Sequence, residues 1–328
     1  MQFFKKIPSL IFLTLLGTGS NETYSQTSNW PQKSIRVIVP FAPGSFTDTA
    51  ARVVGSEIAK RTSQTVFIEN KGGAGSTLGT DTVAKANPDG YTFLVTDNSF
   101  AVSAALYDKL PYQPQKDIVQ VSLLADSPAI LIGRLNLPQK RLKEIVQYAQ
   151  QHPNHFTFGS GGIGSSAHMA MEGFLNQNKI MMTHIPFKGI AGAVIDVAAE
   201  RIDLAIGSIG STGAHIKDGR LIGIAISSPN RHPQFPNLPT FAESGFPNYQ
   251  MMYWFGMMAP AGTPIAIIEA MQQEISFAIN TTKVQEVFSG AGVRPVATTP
   301  ANFSKQIKDE IMVWQEVIKR ADIKVNLN

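Results

Sequence analysis

Two stretches place glycine, serine and a following helix in the order that anion chemistry needs. The first is Pro40-Phe41-Ala42-Pro43-Gly44-Ser45-Phe46-Thr47-Asp48, which follows the β-branched apolar run Ile35-Arg36-Val37-Ile38-Val39. The second is Gly159-Ser160-Gly161-Gly162-Ile163-Gly164-Ser165-Ser166, which follows Phe156-Thr157-Phe158. Glycines let backbone amides approach a ligand, and Ser160, Ser165 and Ser166 add hydroxyl donors. A helix N-terminus behind such a loop has unpaired N–H groups and partial positive charge. One helix end contributes about 0.3–1 kcal/mol, up to about 2 when partly buried. Desolvating a carboxylate costs more, so several charge-assisted hydrogen bonds are needed as well, at about 1.5–3 kcal/mol each. The two loops can supply them, and both point to a small carboxylate.

Other chemistries fit less well. Gly159, Gly161 and Gly164 satisfy G-x-G-x-x-G between a strand and a helix, the setting of a dinucleotide fingerprint. The acidic residue expected about 20 positions on is missing from Gln177-Asn178-Lys179-Ile180, and the loop lies far into the chain. There is no P-loop, no G-x-S-x-G nucleophile elbow and no cysteine. His152 and His155 have H-x-x-H spacing, but Pro153 between them argues against a helical metal face. His215 and His232 read as surface residues, and His168 as a support for the glycine loop. Asp48 is a candidate acid that reads better as a helix cap. Lys188 reads as an exposed turn lysine that could also meet a carboxylate. Trp254 and Phe255 suit a cleft wall or a core equally.

The elements that must position these residues alternate regularly. A helix is expected over 49–60, a strand over 64–69 and a helix over 78–86. Asn87-Pro88-Asp89-Gly90 makes a turn, and a strand over 91–96 ends in Asp97-Asn98-Ser99. Short strands are expected over 118–124 and 129–133, separated by Asp126-Ser127-Pro128. In the second half, strand, Gly/Ser loop and helix recur, with a strand over 203–206 running into Gly207-Ser208 and a helix over 215–218. Five prolines between Pro229 and Pro247 mark an extended wrap. The apolar, aromatic run 251–258 is the return crossing, and three helices close the chain. The expectation is an α/β protein with mixed sheets and helices on both faces. Domain one is 26–125 plus 251–328, and domain two, 126–250, is inserted. Two crossings form a hinge with a cleft between the domains.

Composition agrees with export and binding. The 328 residues are 43% hydrophobic and 16% charged, with net charge +4 and no basic cluster, so a nucleic-acid partner is not expected. Lys5-Lys6, the apolar run 7–17 and Thr23-Tyr24-Ser25 read as a cleavable signal peptide over 1–25. The mature protein is therefore expected to be exported; a monomer without a cofactor is expected of it.

From about Trp30 onward the chain resembles the substrate-binding proteins of tripartite tricarboxylate transporters, the Bug family of exported bacterial receptors. The residues that carry the resemblance are Pro40-Phe41-Ala42-Pro43-Gly44 with Asp48, Glu69-Asn70-Lys71, Pro88-Asp89-Gly90-Tyr91 and Leu110-Pro111-Tyr112. It continues through Gly164-Ser165 with His168, His184-Ile185-Pro186-Phe187-Lys188-Gly189, Trp254-Phe255-Gly256 and Ala259-Pro260-Ala261-Gly262-Thr263-Pro264. The resemblance implies a type II periplasmic-binding (Venus flytrap) fold, a small carboxylated solute and delivery to the membrane components of a transporter. It implies ligand contacts at Phe41, Pro43, Gly44, Ser45, Thr47, Asp48, Ser160, Gly161, Gly164, Ser165, Ser166, His168, Lys188, Gly189, Gly207 and Ser208, and Asn98 at the end of the strand over 91–96 is expected to join them. Three positions depart from the family. Ser45 and Gly72 stand where members often have glycine and proline, and Gly207 stands where an Asp commonly follows the strand. The missing Asp argues against an amine-bearing ligand. An extracytoplasmic sensor for a membrane regulator would use the same site. An enzyme would use the glycine loop for a cofactor.

Overall fold

The computed structural model describes residues 30–321; the signal peptide expected over 1–25 lies outside them. The elements in chain order are β1 (Ile35–Val39), α1 (Phe46–Thr62), β2 (Val66–Asn70), α2 (Thr77–Ala84), β3 (Thr92–Asp97) and α3 (Ser99–Leu106). Next come α4 (Pro114–Asp117), β4 (Ile118–Gly133), α5 (Leu142–Gln151), β5 (Thr157–Ser160), α6 (Ser166–Gln177), β6 (Thr183–Pro186) and α7 (Ile190–Ala198). The last are β7 (Leu204–Ser208), α8 (Ile209–Lys217), β8 (Ile222–Ile226), β9 (Met252–Pro260), α9 (Ile265–Ile279), α10 (Thr282–Gly290), β10 (Arg294–Pro295) and α11 (Pro300–Ala321).

Two half-sheets share one long strand. The first runs β2-β1-β3-β9-β4, with β1 parallel to β2 and β3 and with β9 antiparallel to both its neighbours. In the second, the far end of β4 pairs antiparallel with β7 and β8, and β5 lies parallel to β7 and β6. β1 has the continuous apolar character of a strand covered on both faces: Ile35, Val37, Ile38 and Val39 are all buried.

β4 was expected as two strands broken at Asp126-Ser127-Pro128, but it runs unbroken for 16 residues. Pro128 has no N–H, yet it lies opposite Met252, and the ladder resumes at once. The Ala129 amide donates to Ser227 Oγ at 2.8 Å. The proline is tolerated because its neighbours satisfy the surrounding backbone.

Two helices were not legible in full. α3 buries Ser99, Phe100, Ala101, Val102, Ser103 and Leu106, so it has no polar face to set a helical period. α8 begins at Ile209 rather than near His215. Its Gly210 and Gly213 lower helix propensity, but they are packing requirements: a Cβ at Gly210 would lie 2.3 Å from the Phe46 ring.

Candidate functional site

Four strand-to-helix junctions converge on one cleft between the half-sheets: β1 to α1, β3 to α3, β5 to α6 and β7 to α8. Ser45 caps α1 by accepting from the Asp48 amide, and Ser165 caps α6 by accepting from the His168 amide. Ser208 is the N-cap residue of α8, in extended conformation. Ligands of open α/β folds sit in this position, beyond the carboxyl ends of the strands.

The cleft is lined by Phe41, Ser45, Thr47, Asp97, Ser99, Gly161, Ser165, Ser166, Ala167, Ile190, Gly207, Ser208, Ser211, Tyr253 and Phe255. The space it encloses is about 20 Å³. That holds a water but not a dicarboxylate, so its walls must part to admit a solute. The closed form is latched by bonds across the cleft. The Phe46 amide donates to Ser211 Oγ at 3.2 Å, and the Ser166 amide to Ser99 Oγ at 3.0 Å. The Ala42 amide donates to the Lys188 carbonyl at 2.9 Å, and Tyr107 Oη to the Ile163 carbonyl at 3.2 Å. Two of these donors are first-turn helix amides, the groups an anion would take.

Of the expected ligand residues, the structure brings Phe41, Ser45, Thr47, Gly161, Ser165, Ser166, Gly207 and Ser208 to the cleft. Pro43 and Gly44 are exposed beside the first loop. Asp48 is not the cap; Ser45 is. The Asp48 carboxylate instead accepts from Arg52 Nε at 3.0 Å, Asn70 Nδ2 at 2.8 Å and the Gly44 amide at 3.4 Å. Burial alone would raise its pKa, but the Arg52 and Asn70 hydrogen bonds carry it below the ordinary value.

Other placements correct the expectation. Asn98 points away from the cleft, donating to the Met252 carbonyl and to Glu310 Oε1 and accepting from the Trp254 amide. Alternation along β9 explains it: Tyr253 and Phe255 face the cleft, while Met252 and Trp254 face the other side. Ser160 is fully buried behind its loop, with Oγ against His184 Nε2 at 2.6 Å and the Gly162 amide at 3.1 Å. Gly164 serves packing, because a Cβ there would lie 2.4 Å from Tyr107 Oη. His168 stacks on His184 at 4.1 Å and accepts from the Gly164 amide, so it holds the loop as expected. Burial, and for His168 the neighbouring His184, pushes the pKa of His168 down to about 3 and that of His184 to about 4. The Lys188 side chain is exposed and only its carbonyl closes the cleft, while buried Gly189 caps α7 without lining the space.

Asp97, Ser99, Ser211 and Tyr253 line the cleft and were missed. Asp97 is the last residue of β3, and one of its oxygens accepts the Ser99 amide at 2.8 Å. Burial raises its pKa to about 6, against the lowering effect of the Ser99 and Ser166 groups. Tyr253 Oη is buried near Ser166 without a hydrogen bond of ordinary geometry, and burial raises its pKa. The signal for Asp97 was the strand-helix junction, hidden because α3 could not be read.

A larger groove of about 930 Å³ lies on the opposite face of β9, along the flanks of α6 and α11. Its walls are helix sides rather than strand-to-helix loops, so the anion geometry belongs to the smaller cleft.

Two half-sheets joined through β4 and β9, with strand-to-helix loops facing each other across a cleft, define a two-lobed solute-binding protein. A family model described as Tripartite tricarboxylate transporter family receptor matches residues 50–323. Protein BugT of Bordetella pertussis (strain Tohama I) is 34% identical over 298 residues, 90% of this chain and 91% of its own. The solved structure of the periplasmic binding protein BugD superposes with TM-score 0.86 at 30% identity, over 90% of this chain and 99% of that one. MatC from Rhodopseudomonas palustris, solved with bound malate, superposes with TM-score 0.85 at 31% identity, over 88% of this chain and all of that one (100%). The chain belongs to the tripartite tricarboxylate transporter receptor family.

Proposed function

We propose that the protein is an exported receptor that closes on one small carboxylated solute and hands it to the membrane components of a tripartite transporter. The observation that carries this reading is the convergence of helix N-termini and serine hydroxyls on one closable cleft, with no basic side chain lining it. Such donors hold an oxyanion through oriented dipoles and hydrogen bonds. The bound malate of MatC supports the same ligand class.

Several finer points belong to this reading. Residues 1–25 are a cleaved signal peptide, and the mature chain works in the periplasm as a monomer. Residues 26–125 with 251–328 form one lobe and 126–250 the other. Binding proceeds without turnover or a cofactor. The Ser160–His184 contact, the pairing most like a nucleophile and base among the described residues, lies behind the loop and outside the cleft.

Thermal shift of the mature protein against mono-, di- and tricarboxylates, with NAD alongside, tests the reading. At least one acid should stabilise the fold, by about 2.7 kcal/mol at 100 times its Kd. A response to NAD with none to any acid would overturn it.

A further inference from the structure

We propose that Asp97 selects a solute carrying a positively charged amine beside its carboxylate, so that the cleft takes an amino acid or related zwitterion in preference to the plain acid. This rests on the carboxylate reading above and narrows it.

Charge balance in the cleft is the first argument. Among the residues that line it, Asp97 is the only carboxylate, and there is no lysine, arginine or histidine. A buried carboxylate is costly unless paired. Helix N-termini offer only about half a charge each. A plain di- or tricarboxylate would add like charge beside Asp97 in a closed space without a counter-cation. An amine on the ligand supplies that cation where the protein does not.

Geometry is the second argument. Asp97 accepts the Ser99 amide at 2.8 Å and has the Ser99 and Ser166 hydroxyls against it, but these are neutral partners and none supplies a counter-charge. Beside it, Tyr253 Oη is buried in the same cleft without a partner of ordinary geometry. A polar ligand group placed between the two would satisfy both. Burial holds the free carboxyl up near 6, and an adjacent ammonium would favour its ionised form.

In the sequence, Gly207 reads as the loss of an amine partner. Gly207 and Asp97 line one cleft from opposite half-sheets. The acid is therefore supplied from the end of β3 instead of the end of β7.

Asp97 could instead serve only as the turn acceptor at the start of α3. Calorimetry on the mature protein with matched acids separates the two roles: glutamate against glutarate, aspartate against succinate, phenylalanine against 3-phenylpropionate. In at least one pair the aminated acid should bind the native protein about tenfold tighter or more. Asp97→Asn keeps an acceptor for the Ser99 amide, and it should cut that preference by about tenfold or more. Asp97→Ser keeps an acceptor too and serves if the first variant folds poorly. A native preference for the plain acid in every pair, or a preference unchanged in the variants, overturns the assignment. Binding of no acid of either kind would overturn the carboxylate reading itself.

Discussion

The Ser166 amide donates to Ser99 Oγ at 3.0 Å, across the cleft between the first turns of α6 and α3. A serine hydroxyl there occupies the position a ligand oxygen would take on a helix N-terminus. In the closed cleft the Ser99 and Ser211 hydroxyls hold the helix amides, and a solute must replace these bonds to be held.

Closure can be tested at Gly75, which has φ +59 and lies against the second glycine loop. A Cβ there would stand 2.3 Å from the Ile163 carbonyl oxygen, on the other side of the closed cleft. Gly75→Ala should weaken ligand binding about tenfold or more. It should lower the stability of the free protein by only about 1–2 kcal/mol, the cost of a left-handed alanine. Calorimetry alongside urea denaturation checks both quantities. Native affinity in the variant would show that the lobes need not meet there.

The pair His168 and His184 gives a signed pH dependence. Burial holds both well below the usual 6.5. Below that value the unfolded chain takes up protons that the native pair refuses. The stability these residues contribute is therefore complete above pH 6.5 and lost progressively toward about 3–4. Ring signals of both residues should show no titration between about pH 7 and pH 5 by NMR. A midpoint near the ordinary value for either ring would contradict the buried, stacked arrangement.

Asn98 tests its own reassignment. Its amide group serves the Met252 carbonyl, Glu310 and the Trp254 amide at once. Asn98→Ala should cost about 2–4 kcal/mol, because buried partners are left unsatisfied. Urea denaturation measures it. A loss under about 1 kcal/mol would mean the network carries little weight.

Where apolar period and glycine punctuation agreed, the sequence was readable. β1, the Ser45 loop and α1 follow directly from Ile35–Val39 and Pro43-Gly44, and the Gly159–Ser166 loop repeats that logic. What escaped was decided by burial on all sides. α3 has no polar stripe, so Asp97-Asn98-Ser99 reads as a strand end with Asn98 as its polar tip. Only the pairing of β3 with β9 shows that Asn98 faces Trp254 while Asp97 faces the cleft. Pro128 misled for a similar reason: a local break signal was overruled by the strand lying beside it.

Ala125, Asp126, Ser127 and Pro128 of β4 lie opposite Phe255, Trp254, Tyr253 and Met252 of β9. Only Ser127 and Pro128 with Tyr253 and Met252 form a bare two-stranded ribbon, because Phe255 also pairs with Asp97 of β3, and Ala125 and Asp126 pair with β10; so narrow a ribbon twists more readily than a wider sheet. A twist at that short ribbon is the relative motion of the lobes that breaks no ladder hydrogen bond. Tyr253 and Phe255 sit on the axle of that rotation, whereas Ser45 and Ser165 sit out on the turning arms. A solute resting on Tyr253 and Phe255 therefore touches the part of the cleft that such a twist displaces least. A membrane partner that must tell a loaded receptor from an empty one would gauge the spacing of the outer rims.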